Sequence, residues 1–372
     1  MIRQSETAAN SLPGWPVNAP VACRLRCWSN DHHLRQLYTG LSILHRRGHI
    51  RLAQEFVPAP PPDSDKPQYL RFASMGYASL EIRGQMVGFD MIDSSDLDEE
   101  MLRSCDWYFK RSLALSAPKL PHGSARLRPW GLNYQVECDH FDWFALERDW
   151  RLGSGLMKFR EIRRHLPGSG AASMALRRLE HPPAESEPKI LFLTRVWDHD
   201  DDPGRSDEKR RHFMELNAMR AECVRRLRKA FGSRFSGGLA DTPLARSLFP
   251  DAIFREPALT RKKAYLNLVK SHSIGVTTGG LHGSLGGKLG EYVAMSRAVV
   301  TERLECRVAG NFREGTHFLS FATPEQCVDQ VKLLMEDRAT RTAMMAANHR
   351  YYRDYLDPTR VIANALAQVL AS

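Results

Sequence analysis

Ile274-Gly275-Val276-Thr277-Thr278-Gly279-Gly280-Leu281-His282-Gly283-Ser284-Leu285-Gly286-Gly287-Lys288-Leu289-Gly290-Glu291-Tyr292 is the stretch whose reading decides the fold of the second half of the chain. It reads as a short apolar strand over 273–277, a glycine-rich turn, and a helix over about 287–295. Glycines let a backbone or a ligand approach closely. Where such a turn feeds a helix N-terminus, unsatisfied N–H groups and the helix dipole converge on an anion. Lys288 adds a positive charge at that end. One turn further in, Glu291 places a carboxylate where it can accept both hydroxyls of a ribose diol. Together these features suit a nucleoside diphosphate, with its phosphates at the turn and its ribose at Glu291. The same turn equally suits tight packing of a helix on a sheet. Its spacing is neither GxxxxGK[ST] nor GxGxxG after the first strand of a unit, which disfavours a Walker-type NTPase and a dinucleotide site.

Upstream of this stretch, residues 189–197 (KILFLTRVW) form the strongest buried-strand signal in the chain, a continuous apolar run ending in Thr and Arg. A long basic helix over 208–231, a strand over 234–239 and a helix over 262–270 lead to the glycine-rich turn. A strand over 298–301 and helices over 324–335, 338–355 and 359–370 follow it. This alternation predicts a doubly wound parallel sheet. The first half alternates too: strands over 21–27 and 50–57 flank a helix over 31–46 with Asn30 or Asp31 as N-cap. Strands over 77–82 and 85–92 meet at an Arg83-Gly84 turn and either belong to the open sheet or form a local hairpin. A helix over 96–104 and a strand over 106–113 follow. Residues 58–65 are loop by composition, and Gly/Pro-rich, basic texture over 152–188 reads as a connection. The expected architecture is two Rossmann-like α/β domains facing a cleft, 1–185 and 186–372.

The chain's 372 residues suit two ordinary domains, and 42% hydrophobic with 26% charged residues is the composition of a soluble globular protein. No stretch approaches the roughly 20 apolar residues of a membrane span. The N-terminus lacks a basic region followed by an apolar one, so the expected compartment is the cytoplasm. Seven scattered cysteines without a CxxC pair fit free thiols there. The net charge of +10 favours an anionic partner: nucleic acid, an anionic membrane surface or phosphorylated small molecules.

The run GGLHGSLGGKLGEYVAMSRAVVTERL, followed by GNFREGTHFLSF and AANHRYYRDYLDP, resembles the C-terminal domain of GT-B glycosyltransferases, above all the bacterial group 1-like enzymes that build surface polysaccharides. The resemblance covers roughly residues 189–370. It implies that Glu291 holds the donor ribose and that Arg195, trailing the 189–197 strand, approaches the donor phosphates. Gly279, Gly280, Gly283, Ser284 and Lys288 complete the expected nucleotide-sugar site. Many retaining members carry an acid eight positions before the ribose Glu, where this chain has Gly283. His282 and Ser284 are the residues left to contact a sugar or phosphate there. The resemblance implies no required metal, because the family stabilises the leaving diphosphate with backbone N–H groups and basic side chains.

The first half is expected to supply the acceptor site. Asp90 and Asp93 fall at the end of a predicted strand, where ligands of open α/β sheets bind, and either offers a general base. Both also suit capping of the next helix. Lys110-Arg111 lines the same region or faces solvent. Residues 198–202 (DHDDD) invite a cation but read as an acidic loop, and basic residues 209–211 as a solvated helix face. Basic stretches over 158–164, 177–178 and 225–229 come with no nucleic-acid-binding motif. An anionic membrane surface suits them better if the acceptor is lipid-linked. The expected activity is therefore sugar transfer from a nucleotide-sugar to a glycan or lipid-linked acceptor, with Asp93 and His282 as catalytic candidates. A nucleotide-sugar epimerase or hydrolase, and an inactive GT-B-like binding protein, remain as alternatives.

Overall fold

The structure is a computed structural model that describes Leu12, Trp15, Leu120, Phe159, Arg163 and residues 19–57, 76–117, 125–152, 174–184 and 187–372. The chain divides into two α/β units. The first draws on residues 1–176, 307–309 and 353–372, the second on 177–306 and 310–352.

In the first unit, β1 (Val21–Cys27) leads through a 3-10 turn capped by Asp31 into α1 (Arg35–Arg46) and β2 (Ile50–Phe56). Next come β3 (Tyr77–Ile82), β4 (Gln85–Asp90), α2 (Glu99–Ser104), β5 (Trp107–Lys110), β6 (Arg126–Pro129) and α3 (Trp143–Leu152). The sheet order is β2-β1-β3-β4-β5-β6. Five strands run one way and β3 alone runs the other, because β3 and β4 are a hairpin set into the middle of the sheet. Arg83 and Gly84 both take positive φ, 48° and 75°, the two-residue turn whose twist matches that of the strands it joins. The two readings are both met: β3 and β4 form a hairpin and belong to the sheet.

The second unit holds α4 (Leu176–Leu179), β7 (Ile190–Thr194), α5 (Asp207–Phe231), β8 (Phe235–Leu239), α6 (Pro243–Leu248), α7 (Lys262–Ser271) and β9 (Ile274–Thr277). After the glycine-rich turn come α8 (Gly287–Ala294), β10 (Ala298–Glu302), β11 (Leu319–Phe321), α9 (Pro324–Glu336) and α10 (Arg338–Tyr351). The parallel sheet has the order β11-β10-β9-β7-β8, so the winding direction reverses between β7 and β9. In open α/β sheets that reversal opens a crevice at the carboxyl ends of the strands, where ligands bind. Here the crevice is visible in the register. β7 pairs with β8 along its whole length, from Ile190 to Thr194, but with β9 only at Ile190 and Leu191.

The last helix departs from the expected domain division. A pure split near residue 185 assigns α11 (Pro358–Leu370) to the second domain, but its apolar face, Val361, Ile362, Ala365, Leu366 and Val369, packs into the core of the first unit with Leu37, Leu41 and Leu44 of α1. The approach is close because α1 has Gly40 where the two helices meet. A Cβ there would run into the Pro358 carbonyl and lie 2.6 Å from Ile362 Cγ1. The expected loop over 58–65 and most of the connection over 153–173 lie outside the described residues. No helix among the described residues is long and apolar enough to cross a membrane.

Candidate functional site

The carboxyl ends of β7 and β9 are held apart and held in place by one side chain, Arg220. It sits on the inward face of α5 and is 5% exposed. One terminal nitrogen donates to the Arg195 carbonyl oxygen at 2.7 Å, on the loop after β7. Nε donates to Thr278 Oγ1 and the other terminal nitrogen to the Gly279 carbonyl oxygen, each at 2.9 Å, on the loop after β9. A planar fork of donors meets such a set of acceptors in fixed geometry. Burial pulls the guanidinium pKa down to about 10, with Glu302 opposing that shift, so it stays charged at neutral pH. Asn217, one turn earlier on α5, exchanges two hydrogen bonds with the Trp197 backbone, at 2.9 and 2.8 Å. The helix whose basic start, 209–211, lies largely in solvent as expected therefore positions both loops through its inward polar residues. The sequence signal was available: Asn217 and Arg220 recur at helical spacing with the buried Phe213, Leu216 and Val224.

The glycine-rich turn is closed on itself. Gly280 N donates to the Ser284 carbonyl at 2.8 Å, Ser284 N to the Leu281 carbonyl at 3.1 Å, and Gly279 N to Glu302 Oε2 at 2.6 Å. Three N–H groups of the expected phosphate cradle are thus engaged within the protein. The first turn of α8 carries no side-chain cap, although Leu289 N already donates to the Gly286 carbonyl at 3.0 Å. Gly283 has φ +66°, and the Glu305 carboxylate occupies the space into which a side chain at 283 would grow. A neighbouring strand-end loop thus brings a carboxylate to the position where the sequence has none. His282 lies in the 3-10 turn Leu281–Gly283; its side chain lies outside what the structure describes.

Beside this turn the charges gather. Glu291 is 7% exposed and forms an ion pair with Lys262, the first residue of α7. Burial pushes the Glu291 pKa up, but Lys262 and Lys288 outweigh it and hold the carboxyl below its ordinary range. Lys288 Nζ lies 4.1 Å over the Tyr265 ring. Burial pulls its pKa down to about 8, against Glu291 and with help from Lys262, Arg195 and Arg220. Arg195 is exposed and stacks on the Trp197 ring at 3.7 Å. Two lysines from two helices thus act on one buried carboxylate, and Arg195 and Arg220 act in turn on Lys288. Lys262 and Arg220 were not among the expected site residues. On the other side of the turn is a cavity of about 320 Å³ lined by Thr278, Gly279, Gly283, Ser284, Glu302 and Glu305, among others.

In the first unit the strand ends form a second constellation. Asp93, after β4, pairs with Arg111, after β5, at 2.6 Å. Arg111 also donates to His33 Nδ1 at 2.8 Å, and Asn133 Nδ2 donates to the His33 carbonyl at 2.7 Å. Burial first, then Arg111, holds the His33 pKa down to about 4. His33 was not anticipated, because it reads as part of a helix start. Asp90 is not available as a base. It is fully buried, takes a hydrogen bond from Tyr108 at 2.5 Å and pairs with Lys110 at 2.9 Å. Lys110 and Arg111 likewise do not face solvent, being 0% and 2% exposed. Asp31, His32 and His33 bring potential metal ligands within 4.8 Å of one another. The Arg111 guanidinium at His33 Nδ1 leaves only Nε2 of that ring and opposes positive charge nearby.

No protein-family model and no curated protein matches the sequence. Several solved structures align along most of the chain. MnaA of S. aureus, solved with UDP, aligns at 12% identity over 93% of this chain and 96% of its own, with a TM-score of 0.41. A glycosyltransferase from Rickettsia africae aligns at 10% identity over 90% and 80%, with a TM-score of 0.41. A protein from Listeria monocytogenes described as a UDP-N-acetylglucosamine 2-epimerase aligns at 10% identity over 95% and 96%, also at 0.41. Identities and scores this low carry no residue role or substrate across to this chain.

Proposed function

We propose that the chain is a glycosyltransferase that takes a sugar from a nucleotide-sugar and passes it to a glycan or lipid-linked acceptor, in the synthesis of bacterial surface polysaccharide. The observation that carries this reading is the pairing of Lys262 and Lys288 with buried Glu291 at the start of α8, with Arg195 and Arg220 adding positive charge toward Lys288. It lies in the second unit, at the end of the sheet where the winding reverses between β7 and β9, where ligands of such sheets bind. In this reading the donor diphosphate meets the first-turn N–H groups of α8, Lys288 and Arg195. Glu291 turns from Lys262 toward the ribose diol, and Lys262 is then left to meet the phosphates. Preorganised positive charge that does not need to reorganise stabilises the departing diphosphate. On the first unit, Asp93 accepts the proton that the acceptor hydroxyl loses as it attacks. Arg111 orients it and neutral His33 lies next to it.

Titration with nucleoside diphosphates and their sugars, followed calorimetrically, tests the donor site. Binding that Glu291→Ala weakens at least about tenfold supports it; no binding at millimolar concentration, or unchanged affinity in the variant, refutes it. Incubation with the donor that binds then distinguishes transfer to an added acceptor from hydrolysis or epimerisation of the donor itself.

A further inference from the structure

The glycine-rich turn borders two environments of opposite charge. Lys288 makes one basic, and the cavity of about 320 Å³ is acidic. That volume is at the lower end of small-molecule pockets, about 300 to 1,000 Å³. Three carboxylates line it: Glu215 of α5, Glu302 at the end of β10 and Glu305 on the loop that follows. Arg303 and His212 line it too, so acidic groups outnumber basic ones even with His212 protonated. Glu302 is half-buried and accepts the Gly279 N–H through Oε2 at 2.6 Å. Burial raises its pKa, and Glu305 adds to that against the Gly279 N–H, Arg220 and His212. Glu305 is exposed and closes over Gly283, whose carbonyl accepts from the Cys306 thiol at 3.4 Å.

Two hydroxyls in the same lining point to a ligand. Ser284 and Thr301 are 4% and 2% exposed, and neither hydroxyl has a hydrogen-bond partner among the described residues. Gly280 leaves room for the Ser284 hydroxyl, which a Cβ there would meet. Polar groups this deeply buried are as a rule hydrogen-bonded. A hydroxyl both donates and accepts, whereas an ionised carboxylate only accepts. A ligand that presents several hydroxyls of its own satisfies both kinds of group at once. Leu289 and Phe321 add apolar surface to the lining for the C–H face of such a ligand. A few placed polar groups on an apolar wall are the composition of a small-molecule site.

We propose that this cavity takes the sugar of the donor and selects it: Glu302, Glu305, Ser284 and Thr301 hold a sugar that presents hydroxyls and carries no acidic group. Carboxylates accept from sugar hydroxyls in charge-assisted hydrogen bonds. A carboxylate on the sugar itself would meet like charge in a half-enclosed space, and rejection of that kind sets specificity. The inference rests on the donor reading, since the sugar it places is the one whose diphosphate meets Lys288.

The test is calorimetric titration of the full chain with the nucleoside diphosphate that binds and with its glucose and glucuronic acid conjugates. These two differ only in a hydroxymethyl or a carboxylate at C6. The glucuronic acid form should bind at least about tenfold more weakly than the glucose form. Glu305→Gln, at an exposed position, should narrow that ratio at least about threefold, with the diphosphate alone as the reference in each variant. Glu302→Gln, which keeps an acceptor for the Gly279 N–H, should narrow it as well. Ser284→Ala with Thr301→Val should weaken the glucose form several-fold relative to the diphosphate. A chain that binds the diphosphate but takes both sugars alike overturns the selection. So does a wild-type ratio retained in both glutamine variants, or a hydroxyl double variant that binds the glucose form like wild type. No binding by any nucleoside diphosphate is a separate outcome, which sinks the donor reading and this inference with it.

Discussion

Arg220 donates to the Gly279 carbonyl oxygen at 2.9 Å across the gap where β7 and β9 part. With its bonds to Thr278 and Arg195, one guanidinium fastens both loops that border the candidate donor site. Arg220→Met leaves three acceptors and the nearby Glu302 without their buried donor. It should cost about 3 kcal/mol of unfolding free energy and weaken nucleoside diphosphate binding. Arg220→Lys should recover less than half, since a point charge cannot serve three acceptors in a plane. Urea denaturation and calorimetry check both. Wild-type stability in the Met variant would remove Arg220 as the positioning residue.

Lys288 makes anion binding pH-dependent. Its folded pKa, about 8, is depressed below the unfolded value of about 10.4. Between these values the unfolded chain binds more protons, so this residue's contribution makes stability rise with pH over that window. A bound diphosphate favours the charged lysine and therefore raises its pKa. Affinity should fall as pH climbs through about 8, with proton uptake on binding near that pH. Lys288→Arg should flatten the fall, since arginine stays charged. Calorimetry in buffers of different ionisation enthalpy reads the proton directly.

His33 predicts an acid-side effect with the same sign of slope. Its folded pKa of about 4 is depressed below the unfolded value of about 6.5. As pH falls through that window the unfolded chain takes up the proton first, and stability is lost. His33→Gln should reduce the steepness of this loss between about pH 6.5 and 4, measured by denaturation of the full chain. An identical profile in the variant would show that His33 is not held neutral as the structure has it.

Gly40 tests where the last helix belongs. Within an exposed helix Gly→Ala gains roughly 1 kcal/mol. At position 40 the added methyl meets the Pro358 carbonyl and Ile362, so Gly40→Ala should instead destabilise the first unit by about 2 kcal/mol. A stabilised variant would contradict the packing of α11 on α1. Removal of residues 353–372 should expose the core of the first unit while leaving Lys262, Lys288 and Glu291 of the second in place.

The elements with strong local signals were legible. The apolar run of β7, the periodic α1 and α5, and the β9–turn–α8 passage all lie where their spacing places them. Short pieces such as β6 and β11 were not, because three or four residues carry too little periodicity to read. Of the candidate site, Lys288 and Glu291 were named from the turn itself and Arg195 from the family resemblance. Arg220 and Lys262 were not, since a basic residue on a helix looks alike whether it faces water or a buried carbonyl. Helix α3 was not anticipated at all; its buried Arg148 and Asp149 are held from beneath by Tyr38, Gln54 and Asn30.

By itself the sequence determined the alternation of strands and helices, two α/β units, and a glycine-rich turn leading into a helix with Lys288 and Glu291 on it. Those follow from local chemistry: periodicity, caps and the conformational reach of glycine. Only the tertiary structure decided which carbonyls Arg220 satisfies, that Lys262 reaches Glu291, that Glu305 fills the space beside Gly283, and that α11 closes the first core. These are contacts between residues distant in sequence. Burial and charge act on the space around a side chain, which no local pattern specifies.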